Sequence, residues 1–189
     1  ATKADDFSLS TSISSKRIDV SKIKLLDKPD PKMSADLLFL LGNIYESGLH
    51  GKGMNFYKAA AFYKAAADKG HASAMFNYGN FLRDGVGVDE DAEEAVKYLT
   101  KAAEAGCPEA TVNLGRMLED GEGCKKDVPK ALFWYEKGAK EGQTLAYSNA
   151  GRIYLIGDSE SGIKPNRSKA EKYLQKDVKT RIINAIIFS

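Results

Sequence analysis

Apolar and polar positions along the chain recur in a paired helical pattern. Four segments carry the first member of the pair: "LLGNIYESG" (40–48), "NYGNFLRDG" (77–85), "NLGRMLEDG" (113–121) and "NAGRIYLIG" (149–157). Each sets a glycine, Gly42, Gly79, Gly115 or Gly151, inside an apolar helical stripe. Glycine costs about 1 kcal/mol in a helix interior, so its recurrence there predicts a close approach of two backbones. Leu37/Leu41, Ala74/Tyr78, Ala110/Leu114 and Ala146/Ala150 precede it at i, i+4, and Tyr45, Leu82, Leu118 or Tyr154 follows one turn on. A second glycine, at 48, 85, 121 and 157, comes after the last periodic residue and predicts the helix end.

The second member of the pair reads "KAAAFYKAAADKG", "EAVKYLTKAAEAG" and "KALFWYEKGAKEG", closing on Gly70, Gly106 and Gly142, a step of 36 residues. Asn55, Asp89, Asp127 and Asn166 are the expected caps of these helices. Ala59, Ala95, Ala131 and Ala170 lead into large residues: Phe62/Tyr63, Tyr98/Leu99, Trp134/Tyr135 and Tyr173/Leu174. Rings facing alanines let neighbouring helices interlock. One such helix pair cannot bury its own apolar face, but a stack can.

The pattern therefore predicts an all-α solenoid of four helix-turn-helix repeats over residues 34–189. The repeats fall at about 35–70, 71–106, 107–142 and 143–177, with a capping helix at about 178–188. Residues 1–33 lie outside the period and are expected to form an extended arm, flexible or held by a partner.

Composition narrows the function. Twenty-eight Lys and Arg against 26 Asp and Glu leave a charge of +2, far from the basic field of a nucleic-acid binder, so no nucleic acid is expected. No apolar run nears the roughly 20 residues of a membrane helix, and no membrane insertion is expected. Cys107 and Cys124 flank one predicted helix, on the order of 20 Å apart at about 1.5 Å per residue, beyond disulfide reach. Free thiols fit a reducing compartment, with the cytoplasm favoured and import of a processed precursor into an organelle as the alternative.

The residues A-x-x-x-L-G-x-x-Y, then G-x-G, then K-A-x-x-W-Y-x-K-A-A-x-x-G resemble the Sel-1-like repeat family, a relative of the tetratricopeptide repeats, across about residues 35–174. The third copy, Glu109 to Gly142, is the fullest match. The fourth departs, with Ala150 in place of Leu, a longer loop and no Ala-Ala-x-x-Gly ending. The resemblance implies a right-handed α-solenoid that serves as a non-enzymatic adaptor or scaffold and binds other proteins. In such solenoids the first helices line the concave face, and the residue after the packing glycine points into the groove. Here those residues are Asn43, Asn80, Arg116 and Arg152, with Arg83 in the same segment as Asn80, and Phe39 and Phe76 as expected apolar anchors. An amide can hold a peptide backbone and a guanidinium can hold a carboxylate. The lysines that accompany such residues in carboxylate-clamping tetratricopeptide domains are replaced by Phe39, Phe76, Val112 and Ser148. The alternative is a structural subunit, held in a multisubunit complex by the arm and by an apolar tail of Ile182, Ile183, Ile186, Ile187 and Phe188.

Other chemistry finds little support. "SKIK" (21–24) and "SGIK" (161–164) match a Ser-x-x-Lys spacing without its companion motifs. His50, a loop residue, and His71, a helix-start residue, offer no metal set or triad. No catalytic, metal-binding or cofactor-binding residue is expected, and no cofactor.

Overall fold

A computed structural model describes residues 26–49 and 53–187, with side chains described as far as Lys179. Eight helices follow one another among the described residues: α1 Ala35–Ser47, α2 Phe56–Asp68, α3 Ala72–Asp84, α4 Ala92–Glu104, α5 Pro108–Asp120, α6 Val128–Lys140, α7 Thr144–Ile156 and α8 Arg167–Ile187. Each packs on the next in chain order, and α5 also touches α7, so the molecule is a helical-repeat solenoid.

Local chemistry sets the helix bounds. Each second helix begins at an Asn or Asp whose side chain accepts from the N3 amide: Asn55 from Lys58, Asp91 from Glu94, Asp127 from Lys130 and Asn166 from Lys169. The expected cap at Asp89 is thus displaced to Asp91. The reason is a hydrogen bond that all four loops share. The backbone N–H of Asn55, Asp91, Asp127 and Asn166 donates to the carbonyl of Tyr45, Leu82, Leu118 and Tyr154, at 2.7–2.8 Å. It ties each second helix to the last turn of the first. His71 caps α3, its Nδ1 accepting from the Ala74 amide at 3.1 Å, whereas His50 lies outside the described residues. First helices α1, α3 and α5 end at Gly48, Gly85 and Gly121 in the left-handed region.

The core is continuous along the stack. Ala59, Ala95, Ala131 and Ala170 are fully buried, as are Tyr63, Leu99 and Tyr135. A Cβ added to Gly42 or Gly115 would lie 2.5 Å from the ring of Tyr63 or Tyr135, which is the close approach the pattern called for. Leu99 and Leu174 take the same place over Gly79 and Gly151.

The two ends depart from the pattern. The capping helix expected at 178–188 is not separate, because α8 runs without a break from Arg167 to Ile187. Arg181 stands where Gly70, Gly106 and Gly142 turn the other second helices, so nothing stops α8 there. Of the arm, residues 1–25 lie outside the described residues. Residues 26–33 lie along the first helix pair: the Tyr45 hydroxyl donates to the Leu26 carbonyl at 2.7 Å, Asp27 pairs with Lys58 at 2.5 Å and Lys69 Nζ donates to the Pro31 carbonyl at 2.8 Å. Leu26 and Met33 pack on the core.

Candidate functional site

The periodicity places equivalent residues of α1, α3, α5 and α7 on one shared face, and several reach from one first helix to the next. Asn113 of α5 donates its amide to Asn80 Oδ1 of α3 at 2.8 Å. Arg152 of α7 reaches Glu119 of α5, one guanidinium nitrogen bridging both carboxylate oxygens at 2.6 and 2.8 Å. Two positions before the packing glycine stand Asn77, Asn113 and Asn149, an amide from each of three successive repeats. Sequence reasoning overlooked them, although they open three of the four aligned segments.

Beneath this face lie two phenols. Tyr63, seated over Gly42, donates its hydroxyl to Glu46 and has Asn43 Oδ1 at 2.6 Å. Tyr135, seated over Gly115, donates to Glu119 at 3.0 Å. Burial, and then the neighbouring carboxylate, hold both phenols well above the ordinary tyrosine pKa, so they serve as fixed donors. A similar device joins α6, α7 and α8: Tyr154 and Tyr173 donate to Glu136 at 2.6 and 3.3 Å, and burial with that carboxylate pushes each phenol up to about 12.

The expected groove residues take different places. Asn43 and Asn80 are half-buried and hydrogen-bonded as above. Arg83 folds onto Asp84, at 2.8 and 2.9 Å. Arg152 is held by Glu119, while Arg116 is exposed and carries no ion pair among the described residues. Phe39 is half-buried, its ring stacked on His71 at 4.3 Å and tilted against Tyr63 at 5.8 Å. Phe76 is half-buried against the core. The side chains of Ile182, Ile183, Ile186, Ile187 and Phe188 lie outside the described residues.

Reactive groups elsewhere are held in ordinary surroundings. Cys107 and Cys124 are free thiols. Burial, assisted by a hydrogen bond to Glu109, pushes Cys107 up to about 11, and burial also raises Cys124. Ser161 sits in an exposed turn with its hydroxyl donating to Asp158 at 2.5 Å, and those bonds lower the Asp158 pKa. Among the described residues no helix is long and apolar enough to cross a membrane, and no three His, Cys, Asp or Glu side chains gather as metal ligands.

Comparison with known proteins agrees with this architecture. The family model of the Sel1 repeat matches residues 35–71, 72–107, 108–143 and 144–176. The crystal structure of a Sel1 repeat protein from Oxalobacter formigenes is 32% identical, with a TM-score of 0.72 over 81% of this chain and 61% of that one. That of c5321, a protective antigen of uropathogenic Escherichia coli strains with an SLR fold, is 29% identical, with a TM-score of 0.73 over 77% of this chain and 30% of that one. The immunity protein Pa5087 of Pseudomonas aeruginosa, 22% identical with a TM-score of 0.50 over 77% of this chain and 52% of that one, shares the fold. The chain thus spans less than two thirds of the length of these relatives. No curated protein sequence matches it.

Proposed function

The chain belongs to the Sel1 repeat family, whose repeats are in general non-enzymatic protein–protein interaction scaffolds, and from that premise we propose that the shared face of α1, α3, α5 and α7 is a concave groove that binds an extended segment of a partner protein. The observation that carries the reading is the row of amides, Asn77, Asn113 and Asn149 with Asn43 and Asn80, beside an exposed Arg116 that pairs with no carboxylate among the described residues. An amide carries two donor hydrogens and two acceptor sites, so amides already bonded to a neighbour, as Asn80 is to Asn113, keep capacity for a peptide backbone, while Arg116 offers a fork to a carboxylate. Arg83 and Arg152, neutralised within the groove, shape it and help set its specificity.

Site-specific photocrosslinking tests this. A photoreactive residue at position 116 should capture a partner from native extract, and the same residue at exposed Lys97 of α4 should not. Equal capture at both positions would sink the groove reading. A second reading, a fixed subunit of a larger complex, draws on the apolar residues left exposed around the first loop. Leu49, Met54 and Tyr57 are 55%, 65% and 79% exposed. Under that reading the isolated chain self-associates, and Met54→Ser with Tyr57→Ser relieves it.

A further inference from the structure

Repeats one and three carry the same Tyr–Glu device in different surroundings, Asn43 Oδ1 also lying against the Tyr63 hydroxyl. In both, a tyrosine lies over the packing glycine, Tyr63 on Gly42 and Tyr135 on Gly115, and donates its hydroxyl to the glutamate four residues past that glycine, Glu46 or Glu119. Repeats two and four have leucines over the glycine, Leu99 and Leu174, and Arg83 and Leu155 in place of the glutamate. The Tyr–Glu pair is thus a unit that this chain uses twice.

At Glu119 the unit is complete. The phenol fixes the carboxylate from below, and Arg152, the residue after the packing glycine of the next repeat, covers it from the groove side. At Glu46 the corresponding residue of the next repeat is Asn80, one past Gly79. Asn80 carries no charge, and its amide oxygen is already engaged by Asn113. Glu46 is half-buried, and no cation stands against it among the described residues. A carboxylate whose position is already set by a buried donor loses little freedom when a cation binds, and charge-assisted hydrogen bonds of this kind are the strong ones.

We propose that Glu46, held by Tyr63, is a seat for a basic side chain of the bound partner segment, an arginine above all, which takes at the first repeat the place that Arg152 takes at the third. This rests on the groove reading above and adds its charge requirement. The exposed Arg116 lies two first helices further along the stack. At roughly 10 Å between neighbouring first helices and about 3.3 Å per extended residue, an acidic group of the same segment would fall about six residues from the basic one.

The test uses a phage-displayed random peptide library selected on the whole chain. The expected result is a set of peptides with Arg or Lys at one register position. Replacing that residue by Gln should weaken binding about tenfold, the scale of one charge-assisted hydrogen bond. The same replacement should have no effect on chains carrying Glu46→Gln or Asn80→Arg, because the first removes the seat and the second fills it from within. Peptides that lose affinity with Arg116→Glu but not with Glu46→Gln would overturn the proposal and leave the groove reading standing. Peptides indifferent to both variants, or none selected, would overturn both. A thermal melt needs no peptide: Asn80→Arg should raise the melting temperature relative to its effect in a Glu46→Gln background. An Asn80→Arg chain indifferent to Glu46 would overturn the equivalence of the two units.

Discussion

Replacing a helical glycine by alanine ordinarily stabilises a helix by about 1 kcal/mol, and Gly115→Ala should do the opposite. The new methyl would lie 2.5 Å from Cε1, 2.8 Å from Cδ1 and 2.9 Å from Cζ of Tyr135. That ring has no room to yield: Tyr135 is fully buried and its hydroxyl is bound to Glu119, which Arg152 holds in turn. Relief requires α5 to move off α6 or the phenol to give up its carboxylate. Overpacking of this sort costs about 1–3 kcal/mol, and the buried hydrogen bond about 1 more. Against about 1 kcal/mol of helix propensity, the net loss is roughly 1–3 kcal/mol. Gly79→Ala is the internal control, because its methyl would meet Leu99 Cγ at 3.0 Å, and a leucine with no polar tether can shift by a few tenths of an ångström. It should be close to neutral. Urea denaturation followed by circular dichroism reads both variants. A Gly115→Ala midpoint equal to or above that of wild type, or equal losses at Gly79 and Gly115, would refute the idea that the tethered ring, rather than the glycine as such, makes the contact.

Two further outcomes follow from the buried groups. Cys107 should react slowly with iodoacetamide near neutral pH and accelerate only as pH approaches about 11, whereas the less buried Cys124 should label first; mass spectrometry of the two peptides reads the order. Tyr154 and Tyr173 have folded pKa values of about 12, above the unfolded value near 10, so their contribution to stability is complete below pH 10 and lost as pH rises from there through about 12. The alkaline fall in melting temperature should be shallower in Tyr154→Phe, and an unchanged slope would count against the buried, Glu136-bound Tyr154 phenol as a source of it.

The repeat, the helix pairs and the packing glycines are legible in the chain alone, because these rest on local signals that recur at a fixed step. Gly48, Gly85 and Gly121 end helices through their own backbone freedom, and Asn55, Asp127 and Asn166 cap theirs through their own side chains. Even the misplaced cap was legible, since 36 residues before Asp127 lies Asp91 rather than Asp89. So was the length of α8, where Arg181 replaces the turning glycine. Tertiary structure alone decided which side chains meet between repeats. Asn80 and Asn113 are 33 residues apart, and so are Glu119 and Arg152, and a pattern of single positions does not say which of two arginines, 116 or 152, finds the carboxylate. Nor does it say that residues 26–33 lie along the first helix pair, because a short irregular segment has no period to read and is placed by the Tyr45 hydroxyl, Lys58 and Lys69 of a helix pair that must first exist. Local chemistry repeats with the chain, whereas the face a partner would meet is made of contacts between copies, and those depend on what each copy changed.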